Sequence, residues 1–248
     1  MPRRILIDGD IYAYRTAIQN EVATDWGEDF WTLHADAMQS KRLLDDTIEE
    51  IKNNLGGDEV IVALTDSNNF RKDVLPSYKS NRKNLRKPMI LSELRQHLID
   101  NHNTVIYPNL EADDVLGILA TTPHEDNEDI IVSVDKDLRQ IPTQVSPDGK
   151  DVWSVSKQEG DYWFMIQALT GDATDGYTGL PKVGIKTAEK ILGTSGSTLS
   201  EMWKQVCAAY NKAGYSNDEA LQQARCAYIL RHGDYNLKTG KVKLWQTK

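Results

Sequence analysis

Three apolar segments of this chain run into aspartate: Arg4–Ile7 into Asp8, Glu59–Leu64 through Thr65 into Asp66, and Ile130–Val134 into Asp135. One aspartate after a strand is an ordinary turn or helix-capping residue. Three carry more weight if the strands are parallel, because open α/β sheets build ligand sites along the edge formed by their carboxyl ends. Other carboxylates belong to the same edge. Glu111, Asp113 and Asp114 open the helical segment after Thr104–Tyr107, and their spacing puts Glu111 and Asp114 on one helix face. Asp135 and Asp137 can point to one side of an extended chain, and Asp172 and Asp175 share the loop GDATDG. So many carboxylates packed together repel one another. Hard divalent cations relieve that repulsion, and all-oxygen donors suit Mg²⁺ or Mn²⁺ rather than zinc. Two such ions ~4 Å apart can activate a water and stabilise the leaving oxygen of a phosphodiester. The five histidines show no metal-ligand spacing, and they read as structural or surface residues.

A phosphodiester also needs positive charge. The net charge of −8 argues against nucleic acid until its distribution is considered. From Arg71 to Lys87 the chain reads RKDVLPSYKSNRKNLRK, with seven basic residues and one acidic. By itself such a run is equally a solvated basic helix. Further on, Gly179-Leu180-Pro181-Lys182-Val183-Gly184-Ile185-Lys186-Thr187-Ala188 is a glycine-bounded loop entering a helix. Backbone N–H groups at a helix start can hold a phosphate, with Lys182 or Lys186 adding charge. The loop is not a Walker A motif, since Lys-Ser or Lys-Thr does not follow its second glycine.

The elements that must position these groups alternate. Short Ile/Val/Leu-rich runs suit strands covered on both faces. They are separated by helical patterns at Ala35–Asn54, Leu91–Asn101 and Ala112–Thr121, which predicts βαβ units and a mostly parallel sheet. Beyond about residue 156 the strand signal fades into helical stretches at Glu159–Leu169, Ile185–Leu192, Leu199–Ala213 and Asp218–Leu230. Lys238–Leu244 fits either a late strand or an extended tail. A chain of 248 residues buries a full core without disulfide or zinc staples. Cys207 and Cys226 have no CxxC spacing, and no apolar run reaches the ~18–20 residues of a membrane span. A cytoplasmic protein is expected.

In order and spacing, the motifs resemble the structure-specific 5′-nucleases, the family of flap endonucleases, the nuclease domain of bacterial DNA polymerase I and phage 5′→3′ exonucleases. The residues that carry the likeness begin with Asp8-Gly9-Asp10, Thr65-Asp66 with Phe70-Arg71, and Pro76-Ser77-Tyr78-Lys79-Ser80-Asn81-Arg82. Glu111-Ala112-Asp113-Asp114, Asp135-Lys136-Asp137-Leu138, Gly171-Asp172-Ala173-Thr174-Asp175 and the Gly179–Ala188 loop follow. The ending, from Tyr228-Ile229-Leu230-Arg231 through Tyr235-Asn236 to Leu244-Trp245, is similar to the exonucleases of short-tailed bacteriophages.

The resemblance implies an α/β fold with a central, mostly parallel sheet and a C-terminal helical region carrying a helix–three-turn–helix DNA clamp. Residues 1–156 would form the nuclease core, with a basic arch at about 70–95, and residues 157–248 a helical DNA-binding region packed on it, the clamp lying at about 171–192. Its metal ligands would be Asp8, Asp66, Glu111, Asp113, Asp114, Asp135, Asp137, Asp172 and Asp175, holding two Mg²⁺ ions that Mn²⁺ can replace. Asp10 stands where many relatives carry an uncharged residue. Lys79 and Arg82 would touch the scissile phosphate, with Arg71 assisting. Lys72, Lys83, Arg86, Lys87, Gly179, Lys182, Gly184, Lys186 and Thr187 would contact the DNA backbone. Many relatives hold a K⁺ ion in the clamp; Lys182, in place of a common glycine, and Gly176-Tyr177-Thr178 depart from that pattern. The implied activity is 5′→3′ exonucleolytic hydrolysis of double-stranded DNA at 5′ ends, flaps or nicks, extending to RNA in RNA–DNA hybrids, by a monomer. A ribonuclease sharing the acidic edge would lack the glycine loop, and a silent DNA-binding relative would have lost an acidic motif.

Overall fold

The computed structural model describes residues 2–82, 85–123, 128–193 and 197–247. Lys83, one of the expected DNA contacts, lies outside them. In chain order the elements begin with β1 (Arg3–Asp8), α1 (Gly9–Gln19), β2 (Glu21–Asp25), β3 (Trp31–Ala35), α2 (Ala37–Leu55) and β4 (Glu59–Ala63). Next come α3 (Arg71–Val74), α4 (Leu91–Asn101), β5 (Thr104–Val105), α5 (Ala112–Thr121), β6 (Glu128–Val132), β7 (Gln144–Ser146) and β8 (Trp153–Ser154). The remainder is α6 (Lys157–Thr170), α7 (Ile185–Leu192), α8 (Leu199–Lys212), α9 (Asn217–Ala227), β9 (Tyr235–Asn236) and β10 (Lys241–Val242). Short 3₁₀ turns occupy Ser80–Arg82 and Lys136–Gln140.

Six strands form the central sheet in the order β5-β4-β1-β6-β7-β8, all parallel except β8. β1 sits between β4 and β6, so the strand order reverses beside its carboxyl end, where Asp8 stands level with Ala63. Period-two alternation sorts the strand side chains between two apolar layers. Ile5, Ile7, Val62, Leu64, Ile130 and Val132 face α1, α2 and α4, whereas Leu6, Ile61, Ala63 and Ile131 join the core with α5 and α6. That second core continues through Phe164, Met202, Val206, Tyr210 and Ala224, so the helices after residue 157 share it with the sheet. Capping boxes start three of them: Ser156 with Glu159, Thr198 with Glu201, and Ser216 with Glu219. Among the described residues, no helix is long and apolar enough to cross a membrane.

Helices α4, α5 and α7 begin and end where the sequence pattern places them. Of the expected boundaries that move, three do so for a clear local reason. The Thr104–Tyr107 strand stops at Val105, because Tyr107 turns to accept from the Leu110 N–H (3.1 Å). The strand expected to reach Val134 ends at Val132, where the Ser133 hydroxyl turns towards Asp8. Helix α9 stops at Ala227 instead of Leu230, because the next backbone groups are held elsewhere. Tyr228 O accepts from Arg71, Ile229 N–H donates to Gln140, and Leu230 N–H donates to Asp114. Gly117 on α5 lets this strap pass, since a Cβ there would lie 2.3 Å from Leu230 O. The β2–β3 hairpin escaped the sequence pattern because it is exposed and contributes no stripe to either core.

Arg71 fastens the strap. Its guanidinium donates to the Asp114 carboxylate at 2.6 and 2.8 Å, to Glu111 (3.1 Å), to Cys226 O (2.9 Å) and to Tyr228 O (2.7 Å). An arginine has five N–H donors, and all five are used here, away from water. Removing one partner of a buried ion pair costs about 3–5 kcal/mol, because it strands the other charge. Arg71→Leu should therefore destabilise the chain by about that amount. Arg71→Leu with Asp114→Asn should recover part of the loss, because the amide carries no stranded charge and its oxygen still accepts from Leu230 N–H. Guanidinium chloride unfolding of both variants measures this, and a double variant no better than the single one would contradict it.

Candidate active site

The acidic edge is assembled from four separate stretches of chain. Asp8 ends β1, nearly buried, accepting from Ile11 N–H (3.2 Å) and from the Ser133 hydroxyl (3.0 Å). Glu111 and Asp113 come from the start of α5, where the positive end of the helix favours anions. Asp135 caps the 3₁₀ turn after β6 by accepting from Asp137 N–H (2.8 Å). Asp172 and Asp175 lie in the loop after α6, which closes on itself as Asp172 accepts from Thr174 N–H (2.7 Å).

Electrostatics connects these groups. Burial, followed by the charges of Asp8, Asp135 and Glu111, pushes the Asp113 carboxyl well above its ordinary range. Burial, with Asp135 adding to it, likewise pushes Asp8 up. Burial, then Asp135 and Asp172, raises Asp137 to about 7. Asp135 thus acts on both groups, Asp8 with Asp113 on one side and Asp137 with Asp172 on the other. Asp137 Oδ1 is buried with no hydrogen-bond partner. A buried, mutually repelling all-oxygen set with one unpartnered oxygen suits a hard divalent cation.

Across this edge lies the segment after α3. Lys79 Nζ bonds Glu111 Oε1 and lies 3.5 Å from Asp175. Burial works against both charges, but Lys79 and Arg71 outweigh it and hold Glu111 at about 2, while Glu111 and Asp175 keep Lys79 protonated. Arg82 pairs with Asp175 (2.6 Å) and donates to Thr174 O (3.1 Å). Lys79 adopts a left-handed backbone (φ 53°), fixed by its N–H on Asp175 O (2.7 Å). Gly176, at φ 78°, allows the close approach, because a Cβ there would meet Ser77 O at 3.3 Å. Positive φ is uncommon for a residue with a Cβ.

Several expected site residues are placed differently. Asp114 is fully buried, paired with Arg71 and accepting from Leu230 N–H and Glu111 N–H (3.3 Å). Arg71, expected to assist at the phosphate, has no donor left to offer. Asp66 is held by its own loop and by the turn at Asn109. Its carboxyl is held down, first by Asn109 N–H (2.8 Å), rather than pushed up by other acids. Asp10 pairs with Arg95 and accepts from Thr65 N–H (2.8 Å), tying α1 to α4. Arg86 is engaged by Glu21 of the hairpin, while Lys72 and Lys87 are exposed. In the glycine loop, the Gly179 N–H donates to Gln223 (2.8 Å) and so is spent. Gly184 caps α7 without a side-chain bond, with Lys182, Lys186 and Thr187 exposed around it. The sequence reading missed Tyr78, whose buried hydroxyl lies 2.9 Å from both Glu111 and Asp175, and Ser133, which bonds Asp8. Their positions beside Lys79 and before Asp135 were the available signal.

A family model described as the 5′–3′ exonuclease, N-terminal resolvase-like domain matches residues 3–160. The exodeoxyribonuclease of Enterobacteria phage T3 is 28% identical, over 97% of this chain and 92% of its own length. The exonuclease of Escherichia phage T7 is also 28% identical, over 98% and 93%. Among solved structures, a bacteriophage T5 flap endonuclease complexed with DNA and metal ions superposes with a TM-score of 0.66 at 17% identity. It covers 90% of this chain and 87% of that one, and the likeness is one of fold.

The raised Asp137 carboxyl gives a pH test. In the folded chain it keeps its proton until about pH 7, against 3.8 for the ordinary group. Between those values the folded state binds more protons than the unfolded state, so stability falls as pH rises. In chelator, the denaturant midpoint should drop from pH 4 to 8 across that window, and excess Mg²⁺ should restore it at the upper end. Asp137→Asn should show a shallower drop. An identical pH profile for parent and variant would refute the assignment.

Proposed function

Because the chain belongs to the 5′–3′ exonuclease and flap endonuclease family of DNA-hydrolysing enzymes, we propose that its acidic edge cleaves phosphodiester bonds of double-stranded DNA entered from a 5′ end, flap or nick. The family depends on divalent metal, and we assign Mg²⁺ here, as two ions that Mn²⁺ can replace. The observation that supports the reading is electrostatic: Asp135 acts on Asp8 and Asp113 and also on Asp137, on which Asp172 and Asp175 act too, while Lys79 and Arg82 pair with Glu111 and Asp175. Asp8, Glu111, Asp113 and Asp135 would hold one ion; Asp135, Asp137, Asp172 and Asp175 would hold the other. Asp66 would contribute only through the shape of its loop, and Asp114 and Arg71 through the scaffold. When bound, the ions supply Lewis acidity towards water and the scissile phosphate.

The chain's own residues do the rest. Lys79 and Arg82 now neutralise Glu111 and Asp175. With those carboxylates committed to metal, the Lys79 ammonium and Arg82 guanidinium would turn to phosphate oxygens of the bound strand and neutralise the charge that develops there. Tyr78, with one proton and two carboxylate partners, keeps Glu111 and Asp175 in register beneath them. The loop from 171 to 192 would act as the helix–three-turn–helix grip on the duplex backbone. It would use the free N–H groups at the start of α7 with Lys182 and Lys186, not the Gly179 N–H. Residues 1–156 and 157–248 would then divide chemistry from grip while sharing one core. RNA in hybrids would be cut at the same edge, by a monomer in the cytoplasm.

Duplex and flap substrates labelled at the 5′ or the 3′ end, with Mg²⁺ present and then chelated, test this reading. Label should leave first from the 5′ end, and only with metal. Asp135→Asn should abolish cleavage while DNA binding survives. Lys79→Ala should slow single turnover by ~10²–10³ with little loss of affinity. Release from the 3′ end, or turnover by Asp135→Asn, would sink it.

The grip has its own test. Replacing Lys182 and Lys186 with alanine should weaken duplex binding in Ca²⁺ and flatten its salt dependence by up to ~0.9 log unit per lost phosphate contact. Cleavage at saturating DNA should hardly change. Unaltered affinity and salt slope would reduce the loop to a helix cap.

A further inference from the structure

Away from the acidic edge, three side chains from two helices converge. Asp45 lies in the middle of α2, His97 near the end of α4, and His102 at its carboxyl cap. His97 Nε2 is 2.8 and 3.0 Å from the two Asp45 oxygens, and His102 Nε2 is 2.7 Å from Oδ1. The donor atoms of all three residues lie within 4.8 Å of one another. Nothing in the sequence announced this cluster, because the histidines are five residues apart and the carboxylate is on another helix. His102 leads into the amino end of β5, so the cluster lies towards the sheet edge opposite the acidic one.

We propose that Asp45, His97 and His102 form a second metal site, for a borderline transition-metal ion such as Zn²⁺, that clamps α2 to the end of α4. Two imidazole nitrogens and one carboxylate suit zinc, and they discriminate against the hard cations of the acidic edge. A tetrahedral ion ~2.0–2.2 Å from each donor sets them about 3.3 Å apart, so the two Asp45–imidazole contacts need to open by only about half an ångström. Both rings are sheltered, with side-chain exposures of 14% and 18%, whereas Asp45 is 42% exposed and leaves an entrance from solvent.

The proton positions are compatible with metal exchange. A carboxylate only accepts, so without metal each imidazole carries its proton on Nε2 and donates it to Asp45. His97 Nδ1 then accepts from Asn101 Nδ2 (3.1 Å). For metal to bind, that proton moves to Nδ1, and the Asn101 Nδ2 group, which also donates to His97 O (3.0 Å), turns aside from the ring and keeps that backbone bond. The helices are already pressed together by Leu44 and Ile48 against Leu94 and Leu98. Helix α4 also carries Arg95, which holds Asp10 and donates to Thr65 O (2.7 Å) at the acidic edge. The clamp would therefore stiffen the helix that supports β4's exit loop. The inference does not depend on the nuclease reading, since none of its ligands belongs to the proposed catalytic set.

The test is a zinc titration of the full chain in excess Mg²⁺, which keeps the acidic edge occupied. Long-range ¹H–¹⁵N correlation spectra follow the imidazole nitrogens, and calorimetry gives the affinity. The Nε2 resonances of His97 and His102 should shift together and saturate with one equivalent, and the melting temperature should rise. His102→Gln and His97→Gln should bind that equivalent more than ~100-fold more weakly, beyond the ~10–100-fold cost of losing an outer partner. Zinc that leaves both imidazoles unmoved, or binds parent and variants alike, overturns the site and leaves an Asp–His hydrogen-bonded pair. The imidazole spectra of the parent decide the question even if a variant fails to fold.

Discussion

A guanidinium sealed from water between two carboxylates and two backbone carbonyls holds three distant stretches of this chain together. Arg71 sits at the root of the basic segment, Glu111 and Asp114 at the start of α5, and Cys226 and Tyr228 at the exit of α9. Losing any of these partners leaves charge or polar groups buried and unpaired, which is far more costly than the net gain of an ordinary surface ion pair. The node therefore fixes three things together. It sets the entry angle of the segment that carries Lys79 and Arg82, the orientation of the helix that presents Glu111 and Asp113, and the path of the 228–231 strap over Gly117. The acidic edge inherits its geometry from this contact.

The edge itself is unfavourable as it stands. Asp8, Asp113 and Asp137 are each pushed up by burial and by neighbouring carboxylates, and one oxygen of Asp137 has no partner. Folding energy from two apolar layers and the Arg71 node holds together groups that would otherwise separate. That tension is typical of a site built for an external charge. Lys79 and Arg82 offset part of it from above, and their backbone is set by a left-handed residue and a glycine rather than by a helix. Strain and charge are concentrated at the same few residues, where departures from relaxed geometry tend to accompany function.

Much of the fold was legible from sequence because it rests on periodicity and local chemistry. Apolar strands alternate with helical patterns, helices α4, α5 and α7 start and stop where that pattern places them, and aspartates follow the strand ends of a parallel sheet. The resemblance of the ordered acidic motifs to the 5′-nucleases added the family, and the match over residues 3–160 agrees.

What the sequence determined was which residue types stand at which strand ends, and so the acidic edge and its chemistry. Only the tertiary structure decided which of those charges remain available. Asp114 and Asp113 are neighbours with the same side chain, yet one is consumed by a buried arginine and the other is crowded by Asp8 and Asp135. Asp45 meets two histidines from another helix only because α2 and α4 pack together. Partnership of this kind depends on contacts between residues far apart in the chain, and spacing along a sequence records only neighbours within a turn or a strand.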